Sequence, residues 1–201
     1  MKFKLIILLL MTNTLYAQST IPESIKEEIE IALSYYPDLK NTPINFEFKK
    51  KIKKSTMQAQ PSIGSFFRKK GNRSYNIYIS ETVNISGEVL FTKNMPRDVL
   101  IGWIGHELGH VMDYRNRSNL NLIWFGFKYL LSDNHIAEAE RSADTFAVKS
   151  GMEKYILITK DFILSQANID KKYIARIKKY YLSPEEIMDI INKRDSELSK
   201  S

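Results

Sequence analysis

The sequence predicts an α+β domain, a small antiparallel sheet followed by a helical half. Three patterns predict it. A helical pattern runs from Ile21 to Tyr36, a period of two takes over from Ile44 to about Phe91, and a helical period returns from Pro96 onward.

Ile25, Ile29 and Leu33 recur every four residues among charges in the first segment, and Pro37 stops it. In the second, Ile44, Phe46 and Phe48 alternate with polar residues. Apolar residues follow from Ile63 to Phe67, and then Tyr75, Ile77 and Ile79 alternate again. Pro61 and the pair Gly71-Asn72 separate the runs, so three or four antiparallel strands are expected. Pro96 suits a first helical position, and Asp98 favours the positive end of the helix dipole. Later helices are expected at 135–150, 154–166, 171–181 and 184–193. Ser183 with Glu186 three residues on makes a capping box for the last. The stretch from Leu120 to Leu131 (LNLIWFGFKYLL) is unusually apolar but too short to span a bilayer. It reads as a buried helix or hairpin, with peripheral membrane contact through Leu120 to Leu131 as the alternative.

Met1-Lys2-Phe3-Lys4, the apolar run from Leu5 to Met11 and the small-polar stretch from Thr12 to Ala17 follow the order of a secretory signal peptide. Cleavage after Ala17 is expected, leaving 18–201 as one exported domain, periplasmic or secreted. The chain has no cysteine, which excludes disulfides, thiolate metal sites and a lipid-modified N-terminus. Lys2 and Lys4 account for two of the formal charges in the net +7. The densest basic run, Lys49 to Lys54, lacks the interleaved aromatics on which bases stack, so no nucleic-acid partner is expected.

His106-Glu107-Leu108-Gly109-His110 carries the chemistry. On a helix, residues four apart lie about 40° apart around the axis and one turn along it. Two imidazoles so placed converge on one tetrahedral Zn²⁺, and Glu107, beside His106, reaches a water at the metal. Ile101, Ile104, Leu108 and Val111 form an apolar stripe away from the histidines. Gly109, a poor helix former, makes sense where another backbone or a substrate must come close.

Two histidines need a third protein ligand. A metzincin would place a histidine where this chain has Asn116, so that class is out. The later segment from Ala137 to Ala147 (AEAERSADTFA) supplies a carboxylate. Glu140 and Asp144 are four apart and share a face, while Ala139, Ala143 and Ala147 make another, small enough for close helix packing. Glu140 would ligate the metal, and Asp144 would accept the other N–H of a ligand histidine. Glu138 points about 200° away from Glu140 around the helix.

HELGH followed about thirty residues later by ERSAD resembles the gluzincin metallopeptidases, above all those related to the CAAX prenyl endopeptidase and the membrane protease HtpX. The resemblance covers Pro96 to Gly151, about a quarter of the chain. It implies a zincin-like helical half, His106, His110 and Glu140 as ligands of one Zn²⁺ per chain, Glu107 as catalytic base and Asp144 behind the ligands. Those relatives are largely integral membrane proteins; the present spacing is closer to soluble periplasmic members. The expected activity is zinc-dependent hydrolysis of a protein or peptide substrate. Oxyanion donors are sought in His135, Arg141 or Tyr155, and the extended substrate is expected along the strand from Ser74 to Ser80. The rival is a non-catalytic exported zinc-binding or membrane-surface module that keeps the same fold.

Overall fold

The first helix packs against a central helix, and the buried Tyr36 hydroxyl donates to the Gly105 carbonyl of that helix at 2.6 Å. A computed structural model describes residues 20–52, 55–85, 88–165 and 171–200. The expected signal segment lies outside the described residues. The class is α+β, as the patterns predict.

Helix α1 (Lys26–Ser34) follows a 3-10 turn, Glu23–Ile25, and buries Ile25, Ile29 and Ala32. Pro37 ends it by opening a second 3-10 turn. Strands β1 (Ile44–Lys49), β2 (Met57–Pro61) and β3 (Tyr75–Ser80) form one sheet in the order β1-β3-β2. Here the structure corrects the expected pairing. β2 and β3 are antiparallel, but β1 and β3 are parallel, with Ile44 opposite Tyr75 and Phe48 opposite Ile79. Alternation fixes the face a side chain takes and is the same for either pairing direction. β3 holds the middle because Tyr75, Ile77 and Ile79 are all fully buried.

The apolar run from Ile63 to Phe67 is not a strand. It is a 3-10 turn, tied down by Ser65, whose hydroxyl donates to the Ser74 carbonyl and accepts from the Ser74 amide, both at 2.8 Å. Strands β4 (Thr82–Ile85) and β5 (Glu88–Phe91) form a separate antiparallel ribbon.

Helix α2 (Arg97–Asn116) is the axis of the molecule, with Pro96 at its N-cap and Asp98 in its first turn. It packs against α1, β2, α4 (Asp133–Lys149) and α5 (Glu153–Ser165). Contact with α4 is close because Ala139, Ala143 and Ala147 are fully buried and Gly109 lies against the Ala143 carbonyl; a β-carbon there would collide with that oxygen. Thus another backbone approaches Gly109. Helix α4 ends at Gly151, whose φ of +89° suits glycine alone. Helices α6 (Lys171–Tyr180) and α7 (Pro184–Leu198) complete the chain, and α7 has its capping box. Arg194 on α7 clamps Glu153 with two 2.9 Å bonds.

The apolar stretch forms helix α3 (Asn119–Leu131), capped by Ser118 accepting from the Asn121 amide. It is not buried: Leu122 and Phe125 face inward, while most of its other apolar residues face out. None of the described helices is long and apolar enough to cross a membrane.

Candidate metal centre

The close approach of α2 and α4 puts the two motifs together. His106, Glu107 and His110 come from the middle of α2, and Glu140 and Asp144 from one face of α4. Nε2 of His106 lies 3.0 Å from Glu140 Oε2, and Nε2 of His110 lies 3.4 Å from the same oxygen. Ligand atoms at the corners of a tetrahedron with 2.0–2.2 Å bonds stand roughly 3.3–3.5 Å apart. These three residues, with ligand atoms all within 4.8 Å of one another, form a group that can hold a metal ion.

The donor chemistry agrees. Asp144 Oδ1 takes the Nδ1 proton of His106 at 2.9 Å. In the neutral ring Nε2 then carries a lone pair, aimed at a carboxylate. Two acceptors face each other, and only a proton or a cation between them removes the repulsion. Burial works to lower the His106 pKa, but hydrogen bonds to Asp144 and Glu140 override it and raise it to about 10. Burial likewise opposes the Glu140 charge, yet the two histidines hold its pKa well below the usual carboxylate range. The pocket is built to attract positive charge.

Asp144 is anchored on three sides. Besides His106, its Oδ2 accepts from Lys160 Nζ at 2.8 Å and from the Leu182 amide at 3.1 Å. Its pKa is lowered against burial, first by the Lys160 charge. Tyr129 donates to Glu140 Oε1 at 3.0 Å, leaving Oε2 for the histidines. His110 has less support. Its ring stacks on Tyr114 at 5.9 Å, and its buried Nδ1 has no hydrogen-bond partner among the described residues.

Glu107 is not one of the three grouped ligand residues. Its Oε2 accepts from the Ala59 amide of β2 at 2.6 Å, and burial raises its pKa against the pull of His110 and His106. Glu107, His110 and Glu140 open into a cleft of about 600 Å³ whose wall runs along β2 from Met57 to Pro61. The Ser80 amide bonds the Thr56 carbonyl and the Ser62 amide bonds the Ser74 carbonyl, so the even-numbered residues of this strand face β3. Met57, Ala59 and Pro61 therefore turn their backbone groups outward, toward the site.

Several expectations are met and several corrected. His106, His110 and Glu140 converge, Asp144 reaches His106, and Glu138 points off to pair with His135 at 3.1 Å. The segment from Ser74 to Ser80 cannot receive an added strand, because β3 is paired on both edges; the edge beside the cleft is β2. His135, Arg141 and Tyr155 are not at the site. His135 bonds Glu138, Arg141 bonds Glu186, and Tyr155 meets Tyr35 edge to face. Their places in the cleft are taken by Tyr114, Tyr129, Arg176 and Tyr181. Lys160 was detectable in the sequence, since with Ile156, Thr159 and Ile163 it falls on an apolar stripe where a lysine needs a partner.

Comparisons with protein-family models, curated proteins and solved structures returned no match to this chain.

Proposed function

We propose that the chain is an exported zinc-dependent endopeptidase of gluzincin type. His106, His110 and Glu140 would hold one Zn²⁺, with Glu107 as general base and Asp144 fixing the His106 tautomer. The observation that carries the reading is a convergence: two imidazole nitrogens and a carboxylate oxygen within 4.8 Å of one another, beside a carboxylate that is not among them and the edge strand β2. Two nitrogens and one oxygen, with no thiolate, are the donor set of hydrolytic zinc sites that keep an open position. Export rests on the order of Met1 to Ala17.

When bound, zinc supplies Lewis acidity, making a water nucleophilic near neutral pH and polarising the carbonyl under attack. The remaining work falls to the chain. Glu107, its pKa raised by burial toward the working range, takes a proton from the attacking water and passes it to the amine nitrogen as the C–N bond breaks. The Ala59 amide steadies one of its oxygens. Because the Ala59 amide is held by Glu107 and its carbonyl by the Tyr114 hydroxyl, an extended peptide along this edge would pair through the outward groups of Met57 and the Pro61 carbonyl.

The deciding experiment is a digest of a proteome-derived peptide library by wild type and Glu107→Gln, with zinc content measured on both. Cleavage by the wild type, lost in a variant that keeps its zinc, supports the reading. A zinc-loaded wild type that cleaves nothing would leave the site as a non-catalytic zinc module.

A further inference from the structure

Helix α3 is two-sided in an unusual sense, because most of its apolar surface faces solvent. Leu122 and Phe125 are buried, whereas Leu120, Ile123, Trp124, Phe127 and Leu131 are 81, 55, 56, 55 and 69% exposed. Steps of three and four residues put those five on one stripe. Single exposed apolar residues are ordinary; a continuous stripe of this kind marks a contact surface. The patch also extends beyond the helix. Asn119 Nδ2 donates to the Arg68 carbonyl at 3.1 Å, which ties the end of the turn Ile63–Phe67 to the start of α3. Phe67 is 92% and Ile63 85% exposed.

The charge around the patch selects what covers it. Arg68, Lys69 and Lys70 are exposed at one end, and the Lys128 ammonium sits 5.4 Å above the Trp124 ring. No Asp or Glu occurs in residues 62–80 or 114–132. A second copy meeting this face would press like charges together with no acid to neutralise them. Anionic headgroups neutralise them, and Trp, Phe and Lys are the side chains suited to the bilayer interface. With 13 residues, α3 is about 20 Å long, short of the roughly 30 Å hydrocarbon core. It can lie in the surface plane but cannot span.

We infer that α3, with the turn Ile63–Phe67, is a docking surface for an anionic lipid bilayer. Trp124, Phe127 and Phe67 enter the boundary between headgroups and acyl chains, while Arg68, Lys69, Lys70 and Lys128 meet the phosphates. The inference does not depend on peptidase activity.

The test uses the purified protein, as the cell processes it, with vesicles of phosphatidylcholine alone or mixed with phosphatidylglycerol. The chain has two tryptophans, so Trp103→Phe leaves Trp124 as the sole reporter. Partition should be roughly tenfold or more stronger on the anionic vesicles, with a blue shift of Trp124 emission. Trp124→Ser with Phe127→Ser should weaken partition by about tenfold or more, with unchanged circular dichroism. Should that double variant fail to fold, the emission shift of Trp124 decides alone. An unshifted Trp124 in vesicle-bound protein, equal binding to both vesicle types, or undiminished binding by a folded double variant would overturn the inference. So would lipid-free self-association that the double variant abolishes, which would give the face to a second copy.

Discussion

Nε2 of His106 and Oε2 of Glu140 lie 3.0 Å apart, and because Asp144 accepts from Nδ1 of the same ring, the neutral imidazole would set two acceptors against each other. This pair makes the site a trap for one positive charge, and a proton and a metal ion compete for it.

That competition gives the pH dependence a sign. His106 in the metal-free site keeps its proton up to a pKa of about 10, so zinc must displace it. Zinc affinity should therefore rise about tenfold per pH unit below that value, one proton leaving per ion bound. Metal-free protein should behave oppositely. With the pKa raised from 6.5, the stability contributed by protonated His106 is complete below 6.5 and is lost as pH rises through 10. Chelator competition and thermal melts between pH 7 and 10 check both trends. Zinc affinity that is flat across this range would remove His106 from the ligand set.

Glu107→Gln should bind zinc nearly as well as wild type and lose about 10²–10⁴-fold in kcat. The isosteric amide still accepts from the Ala59 amide, so β2 should stay in place. Zinc titration and peptide turnover on the same preparation separate the two effects, and undiminished turnover would assign the activity elsewhere.

Glu140→Ala should lose most zinc affinity and all turnover, whereas Glu138→Ala should be near neutral, since Glu138 is exposed and, among the described residues, pairs only with His135. Asp144→Asn should weaken zinc by about 10–100-fold. It also strips Lys160 of its buried counter-charge, at a cost of about 3–5 kcal/mol. Urea melts with and without zinc distinguish the loss of fold from the loss of metal. The reverse order of Glu138 and Glu140 would mean that α4 is rotated from its place here.

Gly109→Ala touches no ligand, yet its methyl would meet the Ala143 carbonyl between Glu140 and Asp144. Forcing α2 from α4 should cost about 1–3 kcal/mol of stability and weaken zinc as the ligands separate. Stability lost with full zinc affinity retained would show that helix spacing does not set the ligand geometry.

The parts of the site carried on one helix were legible because helical spacing is itself a geometry. His106 with His110, and Glu140 with Asp144, each declare a shared face, and the alanines between them declare close packing. Parts that arrive from elsewhere left weaker marks. Tyr129 and the Leu182 amide reach the centre only through the packing of α3 and of the segment after α6, which no local period encodes. Strands β1 and β3 were visible in the alternation, but β2, β4 and β5 were not picked out, and the parallel match of Ile44 with Tyr75 was hidden because alternation carries no direction. In α3 the apolar pattern named a helix and was silent about which side meets water.

Leu182 is the last residue synthesised among those that hold Asp144. While the segment beyond Tyr180 is still inside the ribosome, Asp144 lacks that donor and the His106 ring lacks its final brace. A chain halted after Tyr180 should accordingly hold zinc less tightly than the finished one. In the proposed site the metal-binding side chains are thus made early and the last hydrogen bond to Asp144 comes late.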